Sequence, residues 1–250
     1  MKRKLLTVLL LCTMTMSLVA CGSSSDTTNE ATITDSEATS EETTEPNEPN
    51  EPNEAKEVET NELLEIEFVE YGYSYSDGYV HYAFTITNPS DDIIYQYPIV
   101  DITARTADDS LVGVSTQIFS YLLPGDSVSY GAPFDVTSEP SEVEFSVSSG
   151  REATFIPDEH NVPNSALIVS NTTETVGSYE STKYIGEVEN TSEYDQNVLL
   201  VVILKNGGEI VYGTLSYLDN IGAGQKRAFD ILEFDVPAHD EYVISPYIIY

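Results

Sequence analysis

From residue 63 onward, apolar and polar side chains alternate in short runs separated by turn residues. In Leu64-Glu65-Ile66-Glu67-Phe68 every second side chain is apolar and the others are acidic, the pattern of a half-buried strand with one wet face. Val80, Tyr82, Phe84 and Ile86 alternate with His81, Ala83, Thr85 and Thr87 in the same way. The pattern predicts further strands over residues 99–105, 111–121, 127–134 and 142–147. Residues 198–204 form a continuous aliphatic run, which suits a central strand covered on both faces. Asn206-Gly207-Gly208, Leu123-Pro124-Gly125-Asp126 and Ile221-Gly222-Ala223-Gly224 supply residues that tolerate the positive φ of tight turns. Helical periodicity with caps is missing from this part of the chain.

The two halves repeat one plan. Leu111-Val112 corresponds to Ile210-Val211, Pro124-Gly125 to Ala223-Gly224, Tyr130 to Phe229 and Phe145 to Ile244, all 99 residues apart. Tyr82 to Asn88 matches Tyr184 to Asn190 at a spacing of 102, which places three extra residues in the loop after the first Asn. The repeat predicts two antiparallel immunoglobulin-like β-sandwich domains, over residues 63–155 and 160–250, with Pro157 and Pro163 near the junction.

The first 20 residues have another character. Lys2, Arg3 and Lys4 precede an apolar stretch of sixteen residues, 5–20, shorter than the roughly 20 that span a membrane, so they read as a secretory signal. Leu18-Val19-Ala20-Cys21 resembles the lipobox of bacterial lipoproteins. That resemblance implies cleavage after Ala20 and a diacylglycerol thioether on Cys21, with an N-acyl chain such as palmitate on the new terminus. Each buried methylene contributes about 0.8 kcal/mol, so two or three chains hold a protein on a membrane where one does not. Cys12 leaves with the signal, and the remaining cysteine has no free thiol for redox or nucleophilic work.

Between the signal and the first strand, residues 22–62 carry thirteen acids against Lys56 alone, with Glu-Pro-Asn repeated from Glu45 to Asn53. Such a segment lacks the apolar surface to offset its ordering entropy, and its prolines and repelling glutamates favour an extended path. It reads as a disordered acidic linker, with Cys21, over residues 21–62.

The strand that ends in Asn88 or Asn190, the long aliphatic strand after it, the glycine turn and the Pro-Gly or Ala-Gly turn resemble the FxLYD-type and related immunoglobulin-like domains of Gram-positive lipoproteins. In the second copy, Ile203-Leu204-Lys205-Asn206 stands where the family has an aromatic and an Asp. The resemblance implies extracytoplasmic interaction modules without established chemistry.

Charge and composition narrow the function. A net charge of -33, from 43 acidic and 10 basic residues, excludes nucleic acid as a partner, because a phosphate-binding surface needs clustered Lys and Arg. His81, His160 and His239 have no metal-ligand spacing, and no nucleophile elbow or phosphate-binding loop is present, so the sequence offers neither a metal site nor catalytic residues. Asp91-Asp92, Asp108-Asp109, Glu193 and Asp195 fall in turns, as expected for so acidic a chain. Tyr71, Tyr73 and Tyr75 share one face of an extended segment, and flat amphipathic rings stack on sugars or proline-rich peptides or else cover a sandwich edge. They are the candidate ligand-binding residues. The expectation is a lipid-anchored envelope protein that binds or organises envelope protein or glycan, with no cofactor and no catalysis. The alternatives are a solute-binding lipoprotein of a transporter and a carbohydrate-binding module using the tyrosine row.

Overall fold

The computed structural model describes residues 65–154 and 161–249. The signal, Ala20, Cys21, the linker and His160 lie outside the described residues. Fifteen strands follow in order: β1 (Glu67–Ser76), β2 (Tyr79–Thr87), β3 (Ile93–Gln96), β4 (Ile99–Arg105), β5 (Leu111–Ile118), β6 (Tyr121–Leu122), β7 (Ser127–Asp135), β8 (Glu142–Ser148), β9 (Arg151–Thr154), β10 (Leu167–Val176), β11 (Ser181–Asn190), β12 (Gln196–Asn206), β13 (Glu209–Ile221), β14 (Lys226–Phe234) and β15 (Glu241–Ile249). A 3-10 turn, Asn164–Ala166, precedes β10. Among the described residues no helix is long and apolar enough to cross a membrane.

All pairings are antiparallel, and the all-β expectation holds. In the N-terminal half, β1-β2-β7 form one sheet. The opposing layer is β5-β4-β8, continued past a break at Tyr97-Pro98 as β6-β3-β9. In the C-terminal half, β10-β11-β14 face β13-β12-β15. The predicted strand over 99–105 coincides with β4. The one over 111–121 is interrupted at Phe119-Ser120, where Phe119 N donates to Pro98 O and Tyr97 N to Ser120 O at 3.1 Å each. The first strand starts at Glu67 rather than at Leu64.

The repeat landmarks occupy equivalent places. Ile102 pairs with Phe145 as Val202 pairs with Ile244, and Tyr82 pairs with Ala132 as Tyr184 pairs with Ile231. The three extra residues do not all sit in the loop after Asn88. Ile102 follows Asn88 by 14 positions and Val202 follows Asn190 by 12, so two fall before mid-strand; the third lies in the turn between β4 and β5. Asn88 and Asn190 are fully buried and do the same work. The Asn88 side-chain amide donates to Ile93 O (2.7 Å) and Leu122 O (3.0 Å), and that of Asn190 to Tyr194 O (2.7 Å) and Ile221 O (2.9 Å). Each accepts, at 3.0 Å, the N–H of the serine two residues on. The buried asparagine thus satisfies carbonyls that a crossing between sheets leaves unpaired.

The two cores meet through β12. Val198, Leu200, Val202 and Leu204 point into the C-terminal core with Tyr184, Phe229, Ile231 and Ile248. Leu199, Val201 and Ile203 point the other way and join Tyr82, Phe84, Ile86 and Ile102 in the N-terminal core cluster. All seven aliphatic side chains are at most 3% exposed. Full burial of such a side chain stabilises by about 1.5–3 kcal/mol, so this strand is the main apolar anchor of the contact between halves.

Small residues let the facing sheets approach. A Cβ on Gly213 would lie 2.5 Å from the Tyr82 carbonyl oxygen and 2.7 Å from the Ala83 Cβ, and one on Gly131 would lie 2.7 Å from the Gly213 Cα. Ser74 Oγ donates to Val211 O at 2.5 Å, and Lys205 Nζ reaches Glu70 Oε2 at 2.5 Å. At the far end Asn164 N donates to Asp126 Oδ2, the Asn164 amide to Ser127 O, and Ile248 N to Asn164 Oδ1, at 2.8–3.0 Å. Residues 65–249 therefore belong to one compact unit in which sheet packs on sheet four layers deep.

Candidate functional site

The alternation in β1 sends Tyr71, Tyr73 and Tyr75 to one side, opposite Phe84, Tyr82 and Val80 of β2. This is the core-facing side of the sheet, but β1 is its edge strand, so the rings are only partly covered. Tyr75 packs against the N-terminal core. Tyr71 is 55% exposed and Tyr73 37%, and both line a groove of about 370 Å³ beside the β12–β13 hairpin, with Glu70, Val143, Glu209 and Ile210. The structure thus brings two of the three predicted tyrosines to a groove and turns the third inward. Phe68 lies 5.1 Å and Phe145 4.9 Å from the Tyr71 ring, fixing it from behind, and the Lys205 ammonium fixes Glu70.

The position of β1 follows from its small residues. Gly72 and Ser74 alternate with the tyrosines and face the C-terminal half, where a Cβ on Gly72 would lie 2.8 Å from Ile210 O. The groove is the space left where two sandwiches close against each other beside an edge strand. The β12–β13 turn that forms its rim has both glycines, Gly207 and Gly208, at positive φ (61° and 87°), as a two-residue hairpin requires.

A second cleft, of about 660 Å³, is acidic: Asp77, Glu174, Glu180 and Asp235 line it with His239, together with Val236 and Pro237. His239 Nδ1 lies 2.8 Å from Pro237 O and Nε2 2.6 Å from Glu174 Oε1. Each ring nitrogen thus faces an oxygen acceptor. Burial, with the Glu174 charge next in weight, pushes the nearby Tyr184 hydroxyl far above its usual range. Tyr212, whose hydroxyl donates to Glu233 Oε2 at 3.1 Å, is shifted the same way by burial and by that carboxylate. Both phenols stay neutral throughout the physiological range, and the Tyr184 hydroxyl is buried without a hydrogen-bond partner.

Several of the other polar residues singled out in the sequence do structural work. His81 stands on the polar phase of β2, yet that phase faces the C-terminal half. Its ring stacks on Tyr212 at 5.0 Å, its Nδ1 is buried without a hydrogen-bond partner, and burial lowers its pKa below the ordinary 6.5 against the pull of Asp77 and Glu233. Asp108 accepts from Thr106 Oγ1 (2.5 Å) and Ser110 N, which holds its carboxyl below the usual range, and Asp195 accepts from Ala223 N. Asp92 takes part in the Ser90 turn. Among the described residues no group of three or more His, Cys, Asp or Glu is placed to hold a metal ion. Sequence reasoning missed the His239–Glu174 pair, because its members are 65 residues apart and neither sits in a motif.

The groove and the acidic cleft both lie on an all-β frame of antiparallel sandwiches. No family model and no curated protein matches the chain. Among solved structures, it is similar to a β-glucuronidase from glycoside hydrolase family 2, at 14% identity over 64% of this chain and 21% of that one, with a TM-score of 0.22. It is also similar to a β-glucuronidase of Bacteroides uniformis, at 14% identity over 70% of this chain and 22% of that one, with a TM-score of 0.21. The chain thus spans roughly a fifth of the length of these proteins.

Proposed function

We propose that this is a lipid-anchored extracytoplasmic envelope protein whose two sandwiches form a binding or scaffolding module without a catalytic role. The observation that carries the reading is Leu18-Val19-Ala20-Cys21 at the end of a basic and apolar leader, followed directly by an acidic spacer and then by the folded unit. Loss of the three leader cations takes the mature charge from -33 to -36. That charge keeps the folded part off anionic headgroups and agrees with a tether that holds it away from the membrane.

The close contact of Gly131 with Gly213 supports a fixed platform over a hinged receptor. A solute-binding lipoprotein of a transporter commonly closes two lobes around a cleft, whereas here the facing sheets already share one core. The groove beside Tyr71 and Tyr73 supports a surface-binding role.

Metabolic labelling tests the anchor. In a bacterial host the wild-type chain incorporates labelled palmitate and sediments with membranes, whereas Cys21→Ser takes up no label and is released from them. An unlabelled wild type, or a Cys21→Ser protein that stays membrane-bound, would contradict the reading.

A further inference from the structure

The geometry points to the groove between the β1 edge and the β12–β13 hairpin as a binding site for a neutral oligosaccharide. This inference rests on the reading of the folded unit as a binding module and gives that module a ligand class. Four observations carry it. The groove measures about 370 Å³, within the ~300–1,000 Å³ of small-ligand sites. Tyr71 and Tyr73 line it while 55% and 37% exposed, and exposed tyrosine rings stack on the apolar C–H face of a sugar. The Tyr71 ring is already held by Phe68 and Phe145, so little side-chain entropy is lost on binding. Glu70 and Glu209 supply acceptors only, with Glu70 fixed by Lys205, and Val143 and Ile210 supply an apolar wall.

These features separate ligand classes. An oligosaccharide brings many hydroxyl donors to the two carboxylates. A proline-rich peptide stacks on tyrosines equally well, but each proline lacks an N–H and leaves those acceptors unpaired. The chain's own Glu-Pro-Asn repeat is opposed further by Glu45, Glu48 and Glu51, which carry the same charge as Glu209. Glu209, on a folded unit with thirty acids and six basic residues from position 63 onward, repels anionic glycans.

The test titrates the full-length protein, in a zwitterionic detergent without a sugar headgroup, with cello-oligosaccharides and β-linked N-acetylglucosamine oligomers by isothermal calorimetry. Polygalacturonate and a proline-rich peptide serve as comparisons. The expected result is binding of a neutral oligomer that Tyr71→Ala and Tyr73→Ala each weaken about tenfold, while Tyr71→Phe retains most of it. If Tyr71→Ala fails to fold by circular dichroism, Tyr73→Ala and Tyr71→Phe decide the matter. No binding of any neutral oligomer at low millimolar concentration, binding indifferent to both alanine variants, or preferred binding of the peptide or of polygalacturonate would overturn the inference. Palmitate labelling of Cys21 reports the anchor independently, so absence of sugar binding in a labelled protein removes the ligand class and leaves the anchored module standing.

Discussion

Val201→Asp will destabilise both sandwiches together, not only the one that contains it. Val201 is fully buried at the centre of β12, on the face that joins the N-terminal core. An aspartate there would be a buried charge without a partner, at a cost of about 3–5 kcal/mol or more, against a total stability of about 5–15 kcal/mol for a typical domain. The repeat supplies its own control. Asp101 holds the equivalent place in β4: it pairs with Thr116 and Ser146 as Val201 pairs with Leu215 and Ser245. Asp101 is exposed and accepts a hydrogen bond from Thr116 Oγ1 at 2.6 Å, because no second sheet covers it. Urea titration followed by circular dichroism checks the result, and a Val201→Asp protein that keeps half of its β signal would show that the sandwiches fold separately.

The second large effect is expected at the paired asparagines. Asn190→Ala removes donors to Tyr194 O and Ile221 O and the acceptor for Ser192 N, all from a side chain that is fully buried. A buried polar group left unpaired costs about 1–3 kcal/mol, so the total loss is expected at about 2–4 kcal/mol once some groups relax. Asn88→Ala strips Ile93 O, Leu122 O and Ser90 N in the same way and should cost a similar amount. A shift below about 0.5 kcal/mol in chemical denaturation would show that water or a local rearrangement replaces the amide.

The strands, the repeat and the buried aliphatic strand were legible in the sequence, because each depends on local periodicity or on fixed spacing. The run from Val198 to Leu204 announced that both its faces are covered, but its composition could not say by what. The covering sheet presents Ala83 and Gly131, residues too small to read as an interface until Gly213 is seen against them. His81 illustrates the same limit: alternation put it on the polar phase of its strand, and the second sandwich turned that phase into a stacking surface for Tyr212. The tyrosine row was visible as alternation, whereas the difference between inward Tyr75 and outward Tyr71 follows from the sheet edge and from the neighbouring hairpin. The acidic cleft, assembled from turns and from the adjoining ends of β10 and β11, left no sequence signal at all.

These contacts make the two sandwiches a single rigid platform, and scanning calorimetry of the full chain tests that most directly. The shared core predicts one endotherm whose calorimetric and van't Hoff enthalpies agree, as for a cooperative unit. Two separable transitions, or a van't Hoff enthalpy near half the calorimetric value, would contradict it and make the chain two modules that merely touch.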